Sequence, residues 1–253
     1  MYAVKREVIT SRQNALMVHV KKLLSSRSYR EKSGEFAADG TKLLQEAAKW
    51  YDGLHTVIVQ TSVELCELPQ AVRVVEVPES LMRAISPMET PQGALFICRL
   101  PEQTQAEIEG GCIILDGIQD PGNLGTMLRT ADALGVGVVL TEGCADVYSH
   151  KTVRASMGAV FRTQPQRMMR ADVVRMCKEK GITLLATAMS DDAKVIRDVD
   201  LSNTAVIIGS EGQGVSEEFM THADGKIIIP MNEKCESLNA AVAAAIVMWQ
   251  IKR

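Results

Sequence analysis

The sequence predicts an α/β protein of two domains, and three observations carry that expectation. Short apolar runs alternate with stretches of helical periodicity along most of the chain, the pattern of strands separated by helices. One clear β-α-β unit, Cys112 to Leu140, lies near the middle. Ahead of it Pro101 to Gly111, P-E-Q-T-Q-A-E-I-E-G-G, is polar and nearly free of apolar residues, which marks a linker. The expected division is a smaller α/β domain over residues 1–105 and a larger one over 111–253.

In chain order, residues 14–24, N-A-L-M-V-H-V-K-K-L-L, have helical spacing with Asn14 as a candidate cap. Ser25 to Gly34 is polar and basic and reads as a loop, in which Arg27, Arg30 and Lys32 could grip phosphates and Tyr29 could stack on a base. Asp39 is placed to cap a helix through Trp50, with Leu43, Leu44, Ala47 and Ala48 as its apolar side. Strands are expected at His55–Gln60, Val72–Val77 and Ala94–Arg99, a weak helix near Val63–Glu67, and a short helix from Pro78 through Ile85.

In the second domain strands are expected at Cys112–Leu115, Val136–Leu140, Thr183–Thr187, Ala205–Ile208 and Lys226–Ile229. Helices are expected at Leu124–Leu134, Lys151–Ala159, Ala171–Lys180 and about Leu238–Lys252. In the first of these helices Leu124, Leu128, Ala131 and Leu134 share a face, and Gly135 ends it. The last helix is apolar on more than one side and rich in alanine, so it is either central in its own domain or packed on a partner subunit.

Composition narrows the classes. With 46% apolar residues the chain can bury a core, and with 4% aromatics that core must rest on aliphatic side chains. No apolar run approaches the roughly 18 residues a membrane span needs, and the first residues, M-Y-A-V-K-R-E-V-I-T-S-R, lack an apolar signal core, so a cytoplasmic protein is expected. The six cysteines are too far apart for metal-ligand pairs and read as small buried hydrophobes, and the four histidines are scattered, so no metal site is expected. Net charge is −3, but residues 1–50 carry +5 and the remainder −8, an asymmetry that hints at a polyanion partner for the front of the chain.

Three turns that follow strands concentrate the polar groups: Asn123 and Gly125 with Arg129 beyond them, then G-S-E-G-Q-G at 209–214, then I-P-M-N-E-K-C-E-S-L-N at 229–239. Such turns sit where open α/β sheets place ligands, and their glycines allow close backbone approach. None is a triphosphate loop, a dinucleotide fingerprint or a nucleophile elbow, so those chemistries are excluded. The residues alone therefore lead to a ligand-binding α/β domain joined to a basic one.

The motifs D-P-G-N-L-G-T-M-L-R-T-A-D-A-L-G (120–135), V-R-A-S-M-G-A-V-F (153–161), I-I-G-S-E-G-Q-G-V (207–215) and I-I-P-M-N-E-K-C-E-S-L-N-A-A-V-A (228–243) together resemble the SpoU group of SPOUT RNA 2'-O-ribose methyltransferases. The segments I-T-S-R-Q-N-A (9–15) and R-S-Y-R-E-K-S-G-E-F (27–36) are similar to the RNA-binding extension of many members, which has a fold like ribosomal protein L30e.

That resemblance implies a carboxyl-terminal SPOUT domain with a trefoil knot, an L30e-like domain ahead of it, and S-adenosylmethionine as cofactor. It implies cofactor contacts at Thr187, Gly209, Glu211, Gly214, Ile229, Met231, Leu238 and Asn239, with Ser237 completing the pocket. Catalytic roles fall by motif position on Asn123, Arg129, Glu211 and Asn239, and RNA contacts on Arg27, Arg30, Lys32 and Arg154. Arg129 would orient the 2'-hydroxyl or a neighbouring phosphate; Glu211 would anchor that arginine or hold the loop. The implied partners are 23S rRNA ahead of tRNA and a second copy of the chain, with no DNA and no membrane.

Two departures stand out: Asn239-Ala240-Ala241 where the family commonly has asparagine–valine–serine, and Glu233 where it usually has glycine. A non-catalytic RNA-binding protein, a base-modifying SPOUT enzyme and a small-molecule enzyme are the competing readings.

Overall fold

The computed structural model describes residues 7–102, 107–232 and 234–253. The chain forms two compact units, Met1–Glu102 with Asp146–Arg162, and Gln103–Ala145 with Thr163–Arg253. The expected second domain is thus interrupted: a segment from its middle groups with the first unit. Glu233, and residues 103–106 of the expected linker, lie outside the described residues.

The first unit begins with β1 (Glu7–Val8), α1 (Ala15–Ser25), α2 (Arg27–Ser33) and β2 (Glu35–Asp39). It continues with α3 (Thr41–Trp50), β3 (Leu54–Gln60), β4 (Arg73–Val77), α4 (Glu79–Ile85) and β5 (Ala94–Arg99). Its five strands order as β1-β4-β3-β5-β2, parallel among the first three and antiparallel at β5 and β2. Asn14 caps α1 as expected, accepting the Leu16 N–H at 2.9 Å, and Met17, Val20, Leu23 and Leu24 are buried.

Three expectations fail here, two of them for a clear local reason. Ser25 to Gly34 is mostly helix, because Ser26 caps α2 by accepting the Tyr29 N–H and Gly34 ends it at φ 69°. Asp39 does not cap α3: it closes strand β2, accepts a hydrogen bond from Ser86 Oγ at 2.8 Å, and leaves the cap position to Gly40. Burial raises its pKa above the ordinary carboxylate range, opposed by the Ser86 hydrogen bond. No helix forms at Val63–Glu67.

The second unit contains β6 (Cys112–Asp116), α5 (Pro121–Leu134), β7 (Gly137–Leu140), β8 (Gln166–Arg167), α7 (Arg170–Lys180) and β9 (Thr183–Thr187). Then come β10 (Lys194–Val195), β11 (Thr204–Gly209), α8 (Glu217–His222), β12 (Gly225–Ile228) and α9 (Ala240–Ile251). Its seven strands order as β10-β12-β9-β11-β6-β7-β8, every neighbouring pair parallel. Parallel sheets are covered on both faces, so their strands read as unbroken apolar runs, and every residue of β6 is buried. Cys112 lies in it, and burial pushes its thiol up to about 12, in keeping with a packing role.

The intervening segment carries α6 (His150–Ala155). This helix is shorter than the expected Lys151–Ala159, because Met157 at φ 50° and Gly158 at φ 93° turn the chain into the left-handed region. Tyr148 and Phe161 pack on Phe36 of β2, with ring centroids 4.8 and 6.3 Å apart, and Phe161 also meets Tyr51 and Phe96. A chain poor in aromatics thus concentrates them where this segment closes the first unit.

The same segment corrects the reading of Arg30. Its side chain is 6% exposed and bonds Asp146 Oδ2 through Nε and Nη2 at 2.8 and 2.6 Å, while Nη1 reaches the Leu23 carbonyl. Arg30 is therefore a core ion pair and not a phosphate contact. Arg27, by contrast, is exposed and, among the described residues, pairs only with Glu31 one helical turn away. Removing one partner of a buried pair leaves an uncompensated charge, so Arg30→Ala is expected to cost about 3–5 kcal/mol in urea unfolding. Arg27→Ala should cost no more than about 1 kcal/mol; equal losses would show that Arg30 is not buried in solution.

Candidate active site

The site grows from the order of strands in the large sheet. Beyond β6 the chain moves outward through α5 to β7 and β8, whereas β11 lies on the opposite flank of β6 beside β9. Loops leaving the carboxyl ends of β6 and β11 therefore diverge, which opens the crevice parallel α/β sheets use for ligands.

One buried carboxylate holds these loops. Asp116, 2% exposed at the end of β6, accepts hydrogen bonds from Thr141 Oγ1 at 2.9 Å and Arg170 Nε at 2.7 Å on one oxygen. Its other oxygen accepts the Ser216 backbone N–H at 2.8 Å, which ties down the loop after β11. In the sequence the signal for Asp116 is a carboxylate closing an otherwise apolar strand.

Across the crevice three predicted residues meet. Asn123, in the first turn of α5, donates from Nδ2 to Glu211 Oε1. Asn239 Nδ2 donates to Asn123 Oδ1 at 3.1 Å and to Glu211 Oε1 at 3.2 Å. Asn239 also caps α9, its Oδ1 accepting the N–H groups of Ala241 and Val242 at 3.0 and 3.2 Å. The cap decides the amide's orientation: with Oδ1 committed to backbone donors, Nδ2 must face the carboxylate. Asp120 places Asn123 in turn, by capping α5 through the Asn123 N–H at 2.7 Å.

The hydrogen-bond partners of Glu211 are the two amides, and it makes no hydrogen bond to Arg129. Arg129 is exposed and makes no hydrogen bond or ion pair among the described residues.

On one side of this triangle lies a cleft of about 580 Å³. All eight residues expected to touch a cofactor line it: Thr187, Gly209, Glu211, Gly214, Ile229, Met231, Leu238 and Asn239; Ser237 does too. Its walls are largely apolar, with Ile208, Ile227 and Met189 also contributing. The floor is backbone. Ser210 and Gly214 exchange two main-chain hydrogen bonds, 3.1 and 2.9 Å, and a Cβ on Gly209 would lie 2.0 Å from the Gly214 carbonyl carbon. Gly209 is thus obligatory, and Gly214 takes φ 69°. Such largely apolar walls suit a ligand with a flat heteroaromatic ring.

On the other side a smaller pocket of about 260 Å³ shares Ser210, Glu211 and Ala240 with the cleft and adds Gln119, Asp120, Asn123 and Gln213. Sequence reading missed Gln119, one position ahead of the first motif, and gave no role to Gln213, although it lies within the motif at 207–215. The missing hydroxyl at Ala241 takes nothing from either space, since Ala241 is buried and lines neither. Among the expected RNA contacts, Arg154 is exposed with its guanidinium on Met88 Sδ, and Lys32 is exposed.

Fold and site define a class: an α/β protein whose large parallel domain holds a cofactor-sized cleft beside a polar pocket. The chain belongs to the SpoU rRNA methylase family, whose sequence model matches residues 111–249, and residues 17–95 match the MRM3-like substrate binding domain. It is 32% identical over 233 residues to the 23S rRNA (guanosine(2553)-2'-O)-methyltransferase RlmP of Bacillus subtilis, covering 91% of this chain and 94% of that protein. It is 37% identical over 145 residues to the tRNA (guanosine(18)-2'-O)-methyltransferase of Thermus thermophilus, covering 56% of this chain and 73% of that one. The AdoMet-bound rRNA methyltransferase from Sinorhizobium meliloti superposes with a TM-score of 0.84 at 28% identity, over 97% of each chain.

Asn239 has two separable roles. Asn239→Ala removes the cap and should cost about 1 kcal/mol of stability. Asn239→Asp keeps a capping oxygen but sets a second carboxylate against Glu211. Cofactor affinity, read by calorimetry, should then fall while capping is kept; unchanged affinity would show that the triangle is not part of the site.

Proposed function

We propose that this chain transfers a methyl group from S-adenosylmethionine to a ribose 2'-hydroxyl in structured RNA, 23S rRNA ahead of tRNA. The observation that carries the reading is the triangle of Asn123, Glu211 and Asn239 standing between the apolar cleft and the polar pocket. The cleft suits the cofactor: its largely apolar walls match adenine, and the loop Gly209–Gly214 beside it is closed on itself by two main-chain hydrogen bonds. When bound, the cofactor supplies a methyl group made electrophilic by its positively charged sulfur.

The chain's own residues then have to align a hydroxyl, to within about 3–3.5 Å of the reacting carbon. Asn123 and Asn239, held rigidly by two helix N-termini, position the ribose. A guanidinium is a poor base, so Arg129 is not assigned that role. Its guanidinium, unpaired among the described residues, instead orients the hydroxyl or the neighbouring phosphate and favours the developing alkoxide, whose proton passes to solvent water as the bond between sulfur and methyl breaks. The first unit, with its basic front end, binds RNA, and Arg27, Lys32 and Arg154 are among its exposed cations. The trefoil knot and the L30e-like fold implied by the resemblance belong to the same reading. Preference for 23S rRNA rests on the relatives: similarity to the rRNA enzyme spans 91% of this chain, similarity to the tRNA enzyme 56%.

The test is transfer of labelled methyl to unmodified total RNA, with size fractionation and digestion to nucleosides. Label should appear in a 2'-O-methylnucleoside of large rRNA and fall about a hundredfold or more in Arg129→Ala. Label in a base would move the reading to base modification, and no cofactor binding would leave an RNA-binding protein.

A homodimer is part of the proposal. Helix α9 buries Ala240, Ala241, Ala244, Val247 and Met248, yet leaves Val242, Ile246 and Trp249 exposed at 49, 36 and 64%. These three recur at helical spacing and form one apolar stripe. Light scattering should report a dimer for the wild type and a monomer for Val242→Glu/Trp249→Glu; a monomeric wild type would remove the second copy from the proposal.

A further inference from the structure

The polar pocket beside the triangle is built from the loops after β6 and β11, and most of its polar groups are already engaged. Asn123 and Glu211 hold each other, Asp120 Oδ1 accepts the Asn123 N–H, and Ser210 Oγ accepts the Gln213 N–H at 3.3 Å. Two side chains in the lining have no partner among the described residues: the amides of Gln119 and Gln213. We propose that Gln119 and Gln213 read the edge of the target nucleobase, and so choose which nucleotide is modified; this rests on the methyltransferase reading above.

The lining decides between base and backbone. It contains no lysine or arginine and has two carboxylates, Asp120 and Glu211, so a phosphate would be repelled there. A neutral base edge is suited to it, because a side-chain amide presents a donor and an acceptor side by side, the pattern that base edges carry. Bases unstacked from single-stranded RNA are recognised in this way.

Gly212 adds an independent observation. It lines the pocket, a Cβ there would meet nothing within 4 Å, and its φ lies outside the left-handed region. The folded chain itself therefore has no need of glycine at this position, whereas a flat ring approaching the main chain does.

The experiment uses the full-length protein. The modified position is mapped with wild-type enzyme, and four transcripts are made that differ only in the base at that position. Wild type should prefer one base. Gln119→Ala and Gln213→Ala should each reduce the ratio of the preferred base to its nearest competitor, by about tenfold to a hundredfold for a lost amide pairing. Binding of S-adenosylmethionine, measured separately by calorimetry, should be unchanged, which also reports that the variants are folded. Gly212→Leu should block transfer to all four transcripts while still binding cofactor. An unchanged ratio in both glutamine variants, or a wild type indifferent to the base, would overturn the inference. No transfer by wild type to any RNA would overturn the methyltransferase reading, and this inference with it.

Discussion

A buried carboxylate organises the carboxyl edge of the large sheet. Asp116 is almost fully enclosed, and a polar group in that position is tolerated only when its lone pairs are answered. Thr141, Arg170 and the Ser216 N–H answer them, and they come from the end of β7, the start of α7 and the loop after β11. The loop that carries Glu211 is therefore anchored to the strand that leads to Asn123. Everything proposed for the crevice depends on that anchoring, because two diverging loops would otherwise have no fixed separation.

On this frame Asn239 converts a helix cap into site geometry. A capping amide has one oxygen for the helix and one nitrogen left over. Here the nitrogen is aimed at Glu211 and Asn123, so the direction of α9 and the position of the carboxylate are set together. The same economy appears at α5, where Asp120 caps the helix through the backbone of the residue whose side chain serves the site. Preorganisation of this kind means that little has to be ordered when a ligand arrives.

The first unit shows how polar residues can mislead. Arg30 lies in a basic stretch whose composition suggests RNA, yet it is a core residue because Asp146, more than a hundred positions away, supplies its counter-charge. Neighbouring Arg27 is of the same residue type and stays at the surface. Nothing local separates the two; the segment Asp146–Arg162, which also completes the aromatic cluster on Phe36, does.

The sequence by itself determined the α/β class, most strands and helices, and the three turns that supply the site. Alternating periodicity, Asn14, Gly135 and the glycine-rich turn at 209–214 are local signals, and local physics answers to them. Family motifs located the residues of the cleft. Tertiary structure decided the rest: that β11 lies between β9 and β6, that Glu211 meets two amides and not Arg129, that residues 146–162 join the first unit, and that Gln119 and Gln213 share a pocket. These facts depend on contacts between positions far apart in the chain. Residue type and spacing carry no trace of such contacts until the sheet has put those positions side by side.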